Sequence, residues 1–375
     1  MSDTAKLKSL QAQLNKMIAA RGTEVGQINP YPIIKVYFET LARTAIQRGE
    51  RGILVIYLTD TTDTQSWTTI KSVADLDTEK WTEDNQKLIQ TAFEVFSPNK
   101  VMLRRKGAEE DINVFLKELE TLKVTHLACP EAESEDDGKV VTWIKGETNK
   151  RNIVYVSAFA TNSDDCKIVE LNNATVKHTT ISNYDKKKFT VMVAGAIAGC
   201  PLNRSLDNVV FPTLISVDNA TPTLGKFTMY NDDDKVRCLL AINSKTTYDS
   251  TWSSGTRFIK IFEGMNIVKF DIEDTFKDYW CGLYINSYDN KIAFCNNINK
   301  VYFAELQPNV LSPDFDNRID IDEEANRRYI VTDGGDPDTM SETEIRTYPT
   351  GHEVFLKGQV KFSNTMVNLQ LGITY

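Results

Sequence analysis

The chain has 375 residues, of which 41% are hydrophobic and 25% are charged, and its formal net charge is −9. This composition is typical of a soluble globular protein of two or three domains, and the negative charge argues against nucleic-acid binding, which depends on releasing counterions from phosphates. The N-terminus lacks the apolar core of a signal peptide, and the longest apolar stretch, 191–200, is about half a membrane span, so we expect a cytosolic protein without membrane insertion.

Residues 1–40 are expected to form an N-terminal helix, a linker and an extended arm. The helix, 1–22, is indicated by apolar residues at helical spacing, Leu7, Leu10, Leu14 and Met17. Its apolar stripe is narrow and short, so the helix must pack either on its own domain or on a neighbouring molecule. The stretch 22–32 contains Gly and Pro and is typical of a linker. The arm that follows has Ile34, Val36 and Phe38 on one face of a strand.

Buried strands then alternate with amphipathic helices over residues 41–200. The predicted strands are 53–58, 100–105, 125–130 and 152–158, and the predicted helices are 84–96, 109–122, 139–149 and 189–200. Continuous apolar strands separated by helices imply an α/β domain with a mostly parallel sheet and helices on both faces. The acidic segment EAESEDDG, 131–138, is expected to be an exposed loop.

From residue 201 the pattern changes to that of an α+β domain, which we place at 201–358. Its predicted elements are a hairpin over 224–244 turning at Asn231–Asp234, long amphipathic segments at 256–275 and 285–306, a helix at 320–330, and strands from 354 onward.

A C-terminal strand arm is predicted at 359–375. Its apolar residues occupy alternate positions, Val367, Leu369, Leu371, Ile373 and Tyr375, which is the period of a half-buried strand. Val360 and Phe362 follow the opposite parity, so we expect a bend or bulge around 363–366. The partner of this terminal strand is not evident from the neighbouring sequence.

The search for phosphate and metal sites finds none. Gly195 and Gly199 lie inside a predicted helix without the lysine of a phosphate loop, so we interpret them as packing glycines. The acidic run 314–324 begins like a calcium loop, but Arg318 and Ile319 occupy a ligand position and the glycine position. We interpret that run as the solvated N-terminus of a helix, and we predict no metal and no cofactor.

The sequence also predicts no catalytic residues. His126 and Cys129 are three residues apart on a strand, which directs their side chains to opposite faces and argues against a thiol–imidazole dyad. The six cysteines are scattered without a CxxC motif and are expected to be reduced and buried. A chain of this length without a recognisable site is predicted to be structural and not an enzyme.

Several segments resemble contractile tail sheath proteins of bacteriophages and phage-tail-like bacteriocins. The strongest is FIKIFEGMNIVKFDIEDTFKDYWCGLYINSYDNKIAFCNNINKVYFAEL at 258–306, with its EGM, NSYDNK and YFxxL motifs. Similar matches are AGAIAGCPLNRS (194–205), TAIQRGERGIL (44–54) and VFLKGQVKFSNTMVNLQLGI (354–373). The resemblance spans roughly residues 33–375, and the chain resembles a minimal sheath protein without the extra β-rich domain of larger members.

The sequence departs from the family pattern at two places. The family's Asp-Ala-Met-Glu-Asp is replaced by Asn364-Thr365-Met366-Val367-Asn368, and a lysine of the family is replaced by Leu283. The helix 1–22 has no counterpart. These differences concern contacts between subunits and with the tube.

The resemblance implies a subunit that stacks as sixfold rings into a contractile helical sleeve around an inner tail tube. The 41–200 domain would be the outer domain and the 201–358 domain the inner, tube-facing one. The arms would add strands to the C-terminal-domain sheets of neighbouring subunits through Ile34, Val36, Phe38, Val367, Leu369, Leu371, Ile373 and Tyr375. The implied partners are other copies of the chain, the tube protein, and baseplate and tail terminator proteins. The implied location is the tail sheath of a virion or phage-tail-like particle, assembled in the host cytoplasm.

Two other interpretations stay open from the sequence. One is an α/β enzyme with an unrecognised site, and the other is a different self-assembling shell or tube component. Ordered assemblies of the purified protein would argue against the enzyme.

Overall fold

The computed structural model describes residues 46, 49–107, 110–146, 148–250 and 252–373. The predicted N-terminal helix, the linker and the arm with Ile34, Val36 and Phe38 lie outside these residues, as does Tyr375.

Most strands of the described chain belong to one large sheet. The strands are β1 (Ile53–Thr59), β2 (Trp67–Ile70), β3 (Lys100–Lys106), β4 (His126–Ala128), β5 (Val154–Ser157), β6 (Ile168–Leu171), β7 (Val176–His178), β8 (Leu214–Val217), β9 (Lys226–Asp232), β10 (Lys235–Leu240), β11 (Arg318–Ile321) and β12 (Leu356–Gln359). The large sheet has the order β10-β9-β6-β5-β4-β1-β3-β2, while β7 pairs with β8 and β11 with β12 in two small sheets. Within the large sheet only the outermost strands, β2 and β10, run antiparallel to their neighbours.

The helices are α1 (Glu83–Thr91), α2 (Ile112–Leu119), α3 (Ser134–Lys145), α4 (Lys186–Gly199), α5 (Ile259–Tyr279), α6 (Tyr288–Asn297), α7 (Phe303–Leu306), α8 (Glu323–Thr332) and α9 (Glu342–Thr347). A π-helical turn, Ile298–Tyr302, joins α6 to α7.

The large sheet is covered by helices on both faces. Alternate residues of β1 enter two different hydrophobic cores because successive side chains of a strand point to opposite faces. Leu54, Ile56 and Leu58 face the core that contains α1 and α4. Ile53, Val55 and Tyr57 face the core that contains α2 and α3. The predicted mostly parallel α/β sheet with helices on both faces is confirmed.

The acidic segment 131–138 is not the exposed loop that the sequence suggests. Its residues from Ser134 onward form the first turns of α3, where Glu135 and Asp136 lie at the favourable end of the helix dipole. Asp137 is buried, and its carboxylate accepts hydrogen bonds from Tyr155 Oη and Ser157 Oγ, both at 2.7 Å. The run of charges hides the helical period, so the prediction was wrong.

The predicted hairpin is confirmed, but it extends the large sheet. β9 and β10 turn at Asp233–Asp234, and β9 pairs in parallel with β6, with Leu171 opposite Phe227. The hairpin side chains Phe227 and Met229 join the same core as α4. The large sheet therefore continues past residue 200, and the division into a 41–200 and a 201–358 domain stays a prediction.

Helix α5 joins the main core to a third one near the C-terminus. Its first turn packs Ile259 and Phe262 into the core beneath α4, whereas Phe276 packs among residues of α6 and α7. Trp280 is buried beside the last turn, with its ring 4.9 Å from that of Phe294. The small sheet β11–β12 lies against this third core through half-buried side chains, Ile319, Leu356 and Val360.

Candidate assembly surface

An open α/β sheet usually binds ligands at a particular place on its edge, and in this protein that place is closed by side chains of the adjoining loops. Such sites lie at the carboxyl ends of the strands where the strand order reverses, which here is beside β1 and β4. Glu131, which follows β4, accepts a hydrogen bond from the Thr59 N–H at 2.9 Å. Asp60 is buried and accepts hydrogen bonds from Thr62, Thr82 and Asn85. These carboxylates fasten loops to the sheet.

The pKa of Asp60 agrees with that structural role. Burial opposes ionisation of its carboxyl group, but the hydrogen bonds from Thr62, Asn85 and Thr82 outweigh burial and hold the pKa well below its ordinary value. A carboxylate fixed in the charged form by three neighbours is a loop anchor and a poor proton acceptor.

The two glycines of α4 pack against backbone, as predicted. A Cβ on Gly195 would lie 2.2 Å from the Ala92 carbonyl oxygen, and one on Gly199 would lie 2.5 Å from that of Phe96. These approaches bring α4 against the end of α1, so the interpretation as packing glycines is confirmed.

Only the end of the acidic run 314–324 forms the predicted helix start: Arg318–Ile321 is the strand β11, and α8 begins at Glu323 and not at residue 320. Asp322 caps α8 by accepting from the Ala325 N–H, and Asp320 pairs with Arg346. Across the described residues, no cluster of three or more His, Cys, Asp or Glu side chains could hold a metal ion.

His126 and Cys129 point to different surroundings, as their spacing predicted. His126 Nε2 lies 3.4 Å from a carboxylate oxygen of Glu263 on α5, whereas Cys129 lies in the core with α2 and α3, where burial raises the pKa of its thiol. All six cysteines are free, and four are buried as predicted, but Cys200 is half-buried and Cys281 is exposed, so the predicted burial was wrong for these two. None of the helices in the described part of the chain is long and apolar enough to cross a membrane.

The C-terminal tail, residues 366–373, extends an apolar face to solvent. Val367 is 46% exposed, and Leu369, Leu371 and Ile373 are 72% to 85% exposed. The last hydrogen bond that ties the described tail to the body joins Thr365 Oγ1 to Ser205 Oγ at 3.0 Å. Just before it, Ser363 N–H donates to Val310 O, within the stretch 363–366 where the sequence predicts a bend. Four alternating apolar side chains without a cover are an unusual surface for a monomer.

The small sheet formed by β11 and β12, called the small sheet from here on, has one edge that is open to an added strand. The Asp322 N–H donates to Phe355 O, so the antiparallel ladder bonds Asp320 to Lys357 and directs the peptide groups of Leu356 and Gly358 outward. Within the described residues no hydrogen bond reaches these outward groups, and the strand is largely exposed. Unpaired edge groups of this kind are a template for another strand.

The other edge of the small sheet is occupied by side chains. Asn299, in the π-helical turn, donates from Nδ2 to Ile319 O and accepts from the Ile319 N–H, both at 2.7 Å. The Ile321 N–H donates to the carboxylate of Asp320. The outward N–H groups of β11 are therefore bonded, while those of β12 have no partner in the part of the chain that the structure describes.

Comparison with known proteins finds tail sheath proteins similar to this chain. A curated relative, the tail sheath protein of Clostridium phage phiCD119, is 27% identical over 360 residues, covering 91% of this chain and 98% of the relative. The helical sheath of the anti-feeding prophage, solved in its contracted state, has a TM-score of 0.64 at 12% identity and covers 94% of this chain and 98% of that one. A sheath tail protein of Listeria innocua has a TM-score of 0.60 at 14% identity, covering 78% and 93%. No protein-family model matches the chain.

The resemblance to contractile tail sheath proteins is confirmed. The sequence relative spans nearly the whole length of both chains, and the solved sheath structures share the fold. The mixed α/β fold of this chain, with its large, mostly parallel sheet and helices, is thus similar to that of the sheath proteins.

The sheath motif NSYDNK holds the loop that precedes β12. Asn286 donates from Nδ2 to Gly351 O and Glu353 O, both at 2.9 Å, and Ser287 caps α6. Lys291 is buried and donates from Nζ to Thr350 Oγ1 at 2.8 Å, and Thr350 in turn donates to Glu353 O. The motif therefore supports the small sheet, a role that its sequence alone did not reveal.

The structure describes only some of the predicted arm residues. Val367, Leu369, Leu371 and Ile373 share one exposed tail, whereas Ile34, Val36, Phe38 and Tyr375 lie outside the described residues. Sequence reasoning missed Asn299, because its partner is 20 residues further along the chain and no local pattern marks the contact.

Proposed function

We propose that this chain is the structural subunit of a contractile tail sheath, which polymerises into a helical sleeve around an inner tube and does not act as an enzyme. One observation carries the proposal: an exposed tail with the apolar alternation of a strand occurs together with a strand edge whose outward peptide groups have no partner among the described residues. The sequence relation to a phage tail sheath protein and the fold shared with a solved helical sheath support it.

The joint between subunits is a donated strand. The tail of one subunit adds to the free edge of β12 in a neighbour, where main-chain hydrogen bonds give strength and alternate side chains fix the register. Leu369, Leu371 and Ile373 lose their exposed apolar surface on docking, which stabilises the joint by roughly 1.5–3 kcal/mol for each fully buried side chain. The N-terminal arm, with Ile34, Val36 and Phe38, forms a second joint of the same kind.

Contraction is a rearrangement of rigid domains about these joints. Residues 41–200 form the outer domain and 201–358 the inner domain that faces the tube. New contacts between outer domains release the free energy that drives the tube through the target envelope, so no nucleotide is consumed. Baseplate and tail terminator proteins bind the two ends of the sleeve. The subunit assembles in the host cytoplasm and works in the tail of a virion or a phage-tail-like particle.

The test is to remove the tail or its apolar face. Deletion of 367–375, or the triple change Leu369→Ser, Leu371→Ser and Ile373→Ser, should leave a folded, soluble monomer that forms no sheath-like tubes or rings. The matched control changes the opposite face of the same tail, Asn368→Ser and Gln370→Ser, and should polymerise like the unmodified chain. Negative-stain microscopy measures assembly, and circular dichroism with thermal melting measures folding.

Three results would count against the proposal. The unmodified protein could stay strictly monomeric at high concentration even with tube protein present. The deletion could unfold the subunit, which would make the tail part of its own core. The apolar-face variant could polymerise as well as the polar-face control.

A further inference from the structure

The two strands of the small sheet differ in how their outer edges are satisfied, and one side chain accounts for most of the difference. The Asn299 side chain bonds both the N–H and the C=O of Ile319 at 2.7 Å. A carboxamide has the same donor and acceptor as a peptide group. Asn299 thus makes the two hydrogen bonds to Ile319 that the N–H and C=O of one residue in an added antiparallel strand would make.

The backbone around Asn299 supports this reading. The residue lies in the π-helical turn Ile298–Tyr302, and such single turns are rare and frequently mark functional sites. Its neighbours Ile298 and Tyr302 are buried in the third core, which fixes the turn beside β11. The second outward amide of the strand, that of Ile321, is bonded by Asp320.

We propose that Asn299 closes the β11 edge and thereby directs every donated arm to the β12 edge. This inference rests on the proposed function, because it concerns which surface receives the arm of a second copy of this chain. An open edge on both sides would let arms add in two directions and would permit irregular cross-links. With β11 closed, the small sheet grows outward from β12 only, and the arms join in a fixed order.

The experiment measures amide hydrogen exchange, resolved to single residues, on the full-length chain under monomeric conditions. The probe is a synthetic peptide of residues 367–375, VNLQLGITY, in excess. The test variants are Asn299→Ala and Asn299→Leu, the second of which keeps the side-chain size but has no donor or acceptor. The matched control is Asn296→Ala in the preceding helix, whose side chain makes no hydrogen bond to any residue that the structure describes. Thermal melting verifies that each variant is folded.

In the unmodified chain without peptide, the Ile319 amide should exchange about tenfold or more slowly than the Leu356 and Gly358 amides, as one hydrogen bond can provide. Added peptide should slow exchange at Leu356 and Gly358 in all chains. Only in the two Asn299 variants should the Ile319 amide exchange rapidly without peptide and become protected when peptide is added.

Equal exchange of Ile319 and Gly358 in the unmodified chain would overturn the inference without any variant being needed. The inference would also be overturned if, in the Asn299 variants, added peptide protected the β12 amides but never the Ile319 amide. In that case the proposed function would stand. If the peptide protected neither edge in any chain, the donated-strand joint itself would fail, and the inference would fail with it.

Discussion

The large and the small sheet of this protein differ in how far their edge strands are protected from pairing with another strand. The β10 edge of the large sheet is covered by residues 208–211 of the same chain, through hydrogen bonds such as Cys238 N–H to Val209 O at 3.0 Å. The other edge, β2, is only four residues long, which offers little for pairing. In the small sheet, β12 keeps an outward row of peptide groups without partners among the described residues, and the tail beyond it is exposed.

If the proposed function is right, this difference separates the region that folds the subunit from the region that links subunits. The large sheet buries its apolar residues on both faces and has one edge covered and the other short, which suits a body that moves as a unit. The region of the small sheet retains an open edge, an exposed apolar tail and a buried lysine, none of which benefits an isolated monomer. In the proposed sheath, neighbouring subunits would satisfy the edge and the tail.

The largest effect on folding is expected from Gly195→Ala in α4. The new Cβ would lie 2.2 Å from the Ala92 carbonyl oxygen and 2.6 Å from the Ala92 Cα, so two helices of the large core must separate. We expect the free energy of unfolding to fall by about 3 kcal/mol or more, as measured by urea denaturation. Gly138→Ala is the matched control, because that helical glycine has open space around it, and it should stabilise the subunit by about 0.5–1 kcal/mol. Equal results for the two variants would mean that α4 does not pack as closely as the structure indicates.

A smaller effect on folding, but loss of assembly, is expected from Gly358→Val in β12. A Cβ at this position would lie 2.5 Å from Arg318 O and 2.6 Å from a side-chain carbon of Ile319, so β12 must move away from β11. The small sheet lies at the surface, so we expect the unfolding free energy to fall by only about 1–2 kcal/mol. Tubes should no longer form, because the edge that receives the arm is displaced. Gly138→Ala, which lies on α3 and not in the small sheet, should still form tubes. Normal tubes from Gly358→Val would contradict the role of β12.

The sequence predicted the local elements of the large sheet well. Continuous apolar runs identified β1, β3, β4 and β5, and helical spacing identified α1 and α2, because burial on both faces leaves a strong periodic signal. The hairpin turn was also evident from its run of Asn and Asp residues, and Asp233 adopts a φ of 51°, which these residues tolerate.

The sequence could not predict which distant segments meet. The parallel pairing of β6 with β9 joins residues on either side of the expected domain boundary, and strand periodicity carries no information on pairing partners. The same holds for the contact of Asn299 with Ile319. For the tail, alternation indicated a strand, but the pattern does not say what would pair with it, and the described residues 363–373 form no strand within this chain.

The smallest effect, and one of opposite sign, is expected from Lys291→Met beside the small sheet. Lys291 is buried, its ammonium donates to Thr350 Oγ1, and no carboxylate of the described residues lies within ion-pair distance. Burial lowers the pKa of Lys291 in the folded subunit from its ordinary value of 10.5, so the charged side chain opposes folding at neutral pH. Methionine has a similar shape without the charge, and we expect the variant to be more stable by about 1 kcal/mol.

The pH dependence tests the cause of that gain. Because the folded pKa lies below the unfolded one, the unfolded chain binds more protons between the two values, and the stability of the unmodified chain rises with pH across that window. The advantage of Lys291→Met, measured by urea denaturation, should therefore be full below the folded pKa and shrink as the pH approaches 10.5. Lys300→Met, an exposed lysine in the adjoining π-helical turn, should show neither the gain nor the pH dependence. A less stable Lys291→Met variant would mean that the hydrogen bond to Thr350 outweighs the loss of hydration. In that case the buried lysine would contribute to the stability of the isolated subunit, and the contrast between the two sheets would rest on the open edge and the tail alone.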